Sequence, residues 1–188
     1  SDFKINDLYI TGIAFNRENI AYTASSGRIL LKVGTGERLV EYQNAGNSIR
    51  TMGFLDQDQL LVGKVRSNTR ILTLDGALVR DEWALEDKGN MIDFIQTENG
   101  HLYTLDEDNH FWSWSFDQTR NMFSKAQPLK LDLPDRVLCM DYMEAYDIIG
   151  LGGDDGRVYL MKYNADQNLL LPVIDHPLDV YEDKPVLD

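Results

Sequence analysis

The chain has 188 residues, 43% of them hydrophobic and 26% charged, which is the composition of a globular chain, not a disordered one. Acidic residues outnumber basic ones 31 to 18, for a formal charge of -13, which argues against binding nucleic acid or an anionic membrane through a broad basic surface. The one cysteine, Cys139, excludes an internal disulfide, and with only His101, His110 and His176 beside it a structural zinc finger is excluded on spacing.

No run approaches the roughly 18 apolar residues of a membrane span. No Asn-x-Ser/Thr acceptor occurs, and Ser1-Asp2-Phe3-Lys4 opens without the apolar core of a secretion signal. A reducing compartment, the cytoplasm or the nucleus, is therefore the expectation.

In chain order, Phe3-Lys4-Ile5 reads as a displaced outer strand that closes the last structural unit. Short alternating or apolar runs follow at 10–15, 19–24, 28–33, 38–43, 59–65, 70–74, 101–105, 111–116 and 157–163. They are rich in Val, Ile, Leu, Tyr and Trp, and turn pairs such as Ser26-Gly27, Asp75-Gly76, Asn99-Gly100 and Asp155-Gly156 separate them, which is the signature of an all-β protein. Strict alternation over 111–116 predicts Phe111, Ser113 and Ser115 on one face and Trp112, Trp114 and Phe116 on the other, packed in a core.

Two anchors recur in the same order. Phe15, Phe54, Phe94 and Tyr142 each end an apolar run, at spacings of 39, 40 and 48 residues. Arg28, Arg70, His110 and Arg157 each follow the next turn, at spacings of 42, 40 and 47. The chain thus reads as four units, at about 8–46, 47–87, 88–134 and 135–174, in one region spanning 1–174. Each unit is a four-stranded antiparallel meander. Such a sheet cannot bury both of its faces alone, and radial stacking on copies of itself, a β-propeller, solves the problem. Residues 175–188 form an acidic, proline-containing tail that reads as a linker.

The stretch Gly150-Leu151-Gly152-Gly153-Asp154-Asp155-Gly156-Arg157-Val158-Tyr159-Leu160-Met161 resembles a WD40 repeat, in which Asp-Gly leads through alternating apolar residues to Trp-Asp. Met161 stands at the Trp position, Trp114 occupies it in the third unit, and Lys32 and Leu74 do so in the first and second. No unit carries Gly-His or a full Trp-Asp, so the internal His-Asp network of that family is missing. The resemblance implies a non-catalytic scaffold for protein–protein interaction. WD40-like rings close with about six to eight blades. Four units therefore leave the closure open: a fragment of a larger propeller, a small closed four-bladed ring, or, as a second reading of function, a half-propeller completed by another polypeptide or a second copy.

In a propeller, residues just before each first strand ring the central opening. Arg50, Lys88, Asn90 and Arg136 hold those positions and are the expected partner-binding residues, together with Trp83 on an outer strand. The net charge favours a basic partner. The acidic turns Asp106-Glu107-Asp108 and Asp154-Asp155 read as β-turn chemistry, since neither has the spacing of a calcium loop. No nucleophile elbow, phosphate loop or His-Glu-x-x-His is present, and Gly34-Thr35-Gly36 lacks the Lys and helix of a phosphate cradle. No catalytic, cofactor or metal residues are assigned. Carboxylates meeting at the ring axis, as in a hydrolase or lyase, form a third and weaker reading.

Overall fold

The computed structural model describes residues 9–25, 27–32, 39–43, 49–64, 67–75, 78–85, 91–97, 100–117, 122–124, 127–129, 133, 136–164 and 166–179. The expected strand at Phe3-Lys4-Ile5, and Lys88 and Asn90, lie outside the described residues. The chain divides into two compact units, 1–91 and 92–188.

In the first unit, β1 (Ile10–Phe15), β2 (Ile20–Ala24), β3 (Arg28–Lys32) and β4 (Leu39–Gln43) form one antiparallel meander. A second meander follows in β5 (Ile49–Phe54), β6 (Gln59–Lys64), β7 (Ser67–Asp75) and β8 (Leu78–Ala84). Gly27 takes a positive φ of 77° at the β2–β3 turn, a conformation that disfavours any side chain. Pairing of Phe15 with Ile20 and of Ala14 with Ala21 sorts sheet one into two faces. The face carrying Ala14, Ala21, Ile29 and Leu31 is buried against Leu60, Val62, Leu72 and Leu74 of sheet two, with Met52 and Phe54 beside them. Small alanines on one sheet thus receive bulky residues from the next. Burying each of these leucines contributes roughly 1.5–3 kcal/mol. The seventh strand begins at Ser67, so Arg70 lies inside a strand and not, as the repeat suggested, just after a turn. Pairing simply runs further there than the turn residues indicate.

In the second unit, sheet three orders as β9 (Met91–Gln96), β10 (Leu102–Asp106), β11 (Phe111–Trp114) and β14 (Gln127–Leu129). A separate hairpin, β12 (Phe116–Asp117) and β13 (Met122–Phe123), is inserted before the last of these. This insertion accounts for the long spacing of 48 residues between Phe94 and Tyr142. It also corrects the run expected over 111–116, because the strand stops at Trp114 and Phe116 pairs with Phe123 in the hairpin. Within β11 the expected sorting holds: Phe111 faces the core of the unit, and Trp114 is buried on the opposite face.

Sheet four comprises β15 (Val137–Met143), β16 (Ile148–Gly153), β17 (Arg157–Asn164) and β18 (Leu169–Pro172). A single-turn 3-10 helix, Glu144–Tyr146, links its first two strands. In the segment expected as tail, β19 (Leu178–Asp179) pairs with Arg157 and Val158 of β17. The core of this unit joins Ile95, Tyr103, Leu105, Phe111 and Leu129 of sheet three to Met140, Ile149, Leu151, Tyr159 and Met161 of sheet four. Among the described residues, no helix is long and apolar enough to cross a membrane.

Candidate functional site

The first strand of a sheet carries a β-bulge at one repeat position. In β1 the register shifts between Ile10 and Gly12, in β5 between Ile49 and Thr51, and in β15 between Val137 and Cys139. The extra residues are Thr11, Arg50 and Leu138, each four residues before its anchor aromatic and each exposed. A bulge puts two residues opposite one and re-aims the extra side chain. Glycine opposite the bulge makes room for the residue that follows the extra one: a Cβ on Gly63 would meet Thr51 Cγ2 at 2.6 Å, and one on Gly152 would meet Cys139 Sγ at 2.7 Å. The first unit fixes which end of the sheet this is, because β1 lies alongside β5 while β4 and β8 meet only sparsely. In this unit the two blades converge on their first strands, where the bulges sit.

Arg50 is therefore an exposed bulge residue on an inner strand of the first unit. Asn90 holds the equivalent repeat position in the sequence. Arg136, in the second unit, is exposed just before β15, and its carbonyl accepts the Asp154 N–H at 2.9 Å. Trp83 sits in β8, the outermost strand of sheet two, opposite Ile71, and the surroundings of its side chain lie outside the described residues. The bulge itself was missed by sequence reasoning. Its signal is the Gly63 or Gly152 opposite, a glycine inside an otherwise apolar strand.

The acidic turns prove to be built from side-chain-to-backbone bonds. Asp106 is buried at the end of β10 and its Oδ1 accepts the backbone N–H groups of Asp108 at 3.0 Å and His110 at 2.8 Å. Its Oδ2 faces His110 Nδ1 at 3.1 Å and accepts Trp112 Nε1–H at 3.4 Å. Asp106, Asp108 and His110 bring three potential metal-ligating atoms within 4.8 Å of one another. The Asp106 carboxylate, however, is already engaged by four donors, so the cluster is accounted for as a turn. Asn16 and Asp56 do the same between first and second strands, accepting N–H groups two and three residues on. Asp155 accepts the Arg157 N–H at 3.0 Å and the Tyr159 hydroxyl at 2.7 Å, with Arg157 Nη1 at 3.6 Å. Desolvation alone would raise its pKa, but the bonds from Tyr159 and Arg157, with the Arg157 charge, outweigh it and lower the pKa. Tyr103, in the core of the second unit, is pushed up by burial first and by Tyr163 and Asp147 next, which keeps its phenol neutral.

Two sheet faces are apolar and open. Sheet one exposes Ile13 and Phe15 at 58% and 77%. Ile20, Tyr22 and Leu30 share that face by register. Sheet four has a partly open face, on which Cys139, Asp141 and Leu171 are exposed and Gly150, Gly152 and Leu160 are half-buried. A cavity of about 620 Å³ lies at its outer part, lined by Leu133, Tyr159, Leu160, Leu169, Leu171 and Ile174 among others.

No protein-family model matches the sequence, and no curated protein matches it either. Solved structures do match. YCF48 bound to D1 peptide superposes with a TM-score of 0.62 at 11% identity, covering 95% of this chain and 55% of that one. A chain of the mitotic checkpoint complex gives 0.64 at 13% identity over 92% of this chain and 55% of that one. The computationally designed Ika4 protein gives 0.62 at 15% identity over 85% of this chain and 94% of that one. These likenesses establish the fold: the four sheets are blades of a β-propeller. The chain spans a little over half the length of the first two propellers it resembles.

Proposed function

We propose that this chain is a WD40-like, non-catalytic propeller portion that holds a protein partner at the inner ends of its blades, in the cytoplasm or nucleus. The observation that carries the reading is the repeated bulge. It turns Arg50 out of the ladder at the same blade position that sequence assigns to Asn90, with Lys88 and Arg136 two residues before their own blade's equivalent. Bulges spend a ladder bond to re-aim a side chain, and they concentrate at functional rims. Two similar propellers support a protein as the ligand class: one is bound to a peptide and the other belongs to a checkpoint complex. The overall charge of -13 favours a basic partner, with binding that weakens as salt rises.

The test is selection of peptides from a randomised display library on the immobilised chain. Enriched peptides that dock on the rim are expected to change affinity at least tenfold on an Arg50→Glu/Arg136→Glu double variant, basic ones gaining because the reversal removes like-charge repulsion there. Enrichment of peptides that bind this variant equally well would refute the rim site. Selection of uncharged, salt-insensitive ligands would refute the basic partner.

A further inference from the structure

The blades obey one packing rule, and its two unused halves lie on this chain. In the first unit the Ala14–Ala21 face of sheet one receives the Met52–Phe54 face of sheet two. In the second unit the corresponding face of sheet three receives the Met140–Tyr142 face of sheet four. Aligned on the anchor aromatics, Ile13 and Phe15 of sheet one occupy the positions of Met52 and Phe54, and of Met140 and Tyr142. Asp141, Gly150 and Leu160 of sheet four likewise occupy the positions of Ala14, Ala21 and Leu31. The first of these faces is bulky and exposed at Ile13 and Phe15; the second is floored by half-buried Gly150 and Leu160, with Asp141 exposed on it.

A hydrogen bond makes the same point independently. Asp93, one residue before its anchor, accepts the Phe94 N–H on Oδ1 at 2.9 Å and, across to the next sheet, the Met140 N–H on Oδ2 at 2.9 Å. Asp141 sits one residue before the next anchor and repeats the first half, accepting the Tyr142 N–H on Oδ1 at 2.8 Å. Its carboxylate is exposed. The residue equivalent to Met140 that would complete the pattern is Ile13, on the open face of sheet one.

We propose that the open face of sheet four docks the open face of sheet one of a second copy of this chain, head to tail, with Asp141 accepting the Ile13 N–H and Phe15 set over Gly150. A second copy is the occupant because each chain already carries both complementary halves. The inference rests on the blade equivalence and not on the partner rim.

The test is sedimentation velocity with light scattering across a concentration series. The wild type is expected to associate. Phe15→Glu is expected to weaken that association about a hundredfold, and Asp141→Asn about tenfold. Both residues are exposed, so the variants are expected to keep the wild-type circular dichroism. Phe15→Glu and Leu160→Glu chains, each deficient alone, are expected to form a 1:1 complex when mixed, since each keeps the intact half that the other needs. Cys139, on the docking face beside Gly152, supplies a readout without mutation of the core: maleimide alkylation is expected to slow as concentration rises, and the alkylated chain to stay monomeric. A wild type that is monomeric throughout overturns the proposal. So does association that survives both glutamate variants, or that mixing fails to restore. Arg50→Glu/Arg136→Glu is expected to leave association unchanged, which separates this outcome from the fate of the rim site.

Discussion

Replacing Asp106 by Ala tests whether the acidic turn of sheet three is structural. The carboxylate is nearly buried, with its side chain 13% exposed, and it accepts two backbone N–H groups and two ring N–H groups. A hydrogen bond to a charged group contributes about 1.5–3 kcal/mol when its donor is left dry. Here Asp108 and His110 are exposed, so water replaces much of the loss at their amides and at the imidazole. The 3.4 Å bond from Trp112 is long and contributes little. The expected net cost is therefore about 2 kcal/mol, nearer to one dry charged bond than to four. For a domain of about 150–250 residues that lowers Tm by about 4–8 °C. Asp106→Asn keeps an acceptor for the two amides but sets an amide nitrogen against two ring donors, so its expected loss is about half as large. Calorimetry measures the shifts, and fluorescence of Trp112 and Trp114 follows the sheet directly. A turn has no need of an ion, so a chelator is expected to leave the wild-type Tm unchanged. An Asp106→Ala protein as stable as the wild type, or a wild type that loses stability with chelator, would refute the reasoning. The second result would make the Asp106, Asp108 and His110 cluster a metal site.

Leu151→Ala, at a fully buried position in the core of the second unit, is expected to cost about 3–5 kcal/mol in urea unfolding, the range for a leucine whose cavity cannot collapse. Trp114→Phe removes the buried bond from Nε1 to Thr104 Oγ1 at 3.1 Å. A double-mutant cycle with Thr104→Val should return a coupling of about 1 kcal/mol, and zero coupling would show that the bond contributes nothing. Gly63→Ala drives a Cβ onto Thr51 Cγ2 and is expected to cost about 1–3 kcal/mol, with Thr51→Ser restoring part of the loss by removing the methyl. The pKa of Asp155 is lowered, so the stability that its ionised form contributes is complete above the ordinary carboxylate range and fades only as pH falls through the folded value. The stability gap between wild type and Asp155→Asn should hold steady near neutrality and close below about pH 4. Tyr159→Phe should move that closure to higher pH, and a gap that widens in acid would contradict the assignment.

Much of the blade pattern was legible because strand propensity, alternation and turn chemistry are local. The anchors Phe15, Phe54, Phe94 and Tyr142 all fall in first strands of the four sheets. The turn pair Asp155-Gly156 is a tight turn as expected, with a positive φ of 78° at Gly156, and Arg157 lies beside Asp155. Arg50 and Arg136 were found as exposed residues at the starts of first strands. The bulge at Arg50 was not foreseen, because an extra residue in one strand shows only against the partner strand's register. The hairpin after Trp114 was hidden for a related reason: Phe116 continues the alternation of β11 while belonging to a different pair of strands.

The sequence by itself determined the strands, the four-fold repeat and the placement of acids in turns, since each depends on residues within a few positions of one another. Tertiary structure alone decided which apolar face of each sheet is covered. Ala14 and Phe15 are neighbours in one strand, yet Ala14 is buried against sheet two and Phe15 is 77% exposed. Alternation assigns them to opposite faces but carries no information about which face meets a neighbouring sheet. That depends on contacts between segments some forty residues apart, such as the Asp93 carboxylate and the Met140 amide, separated by 47 residues.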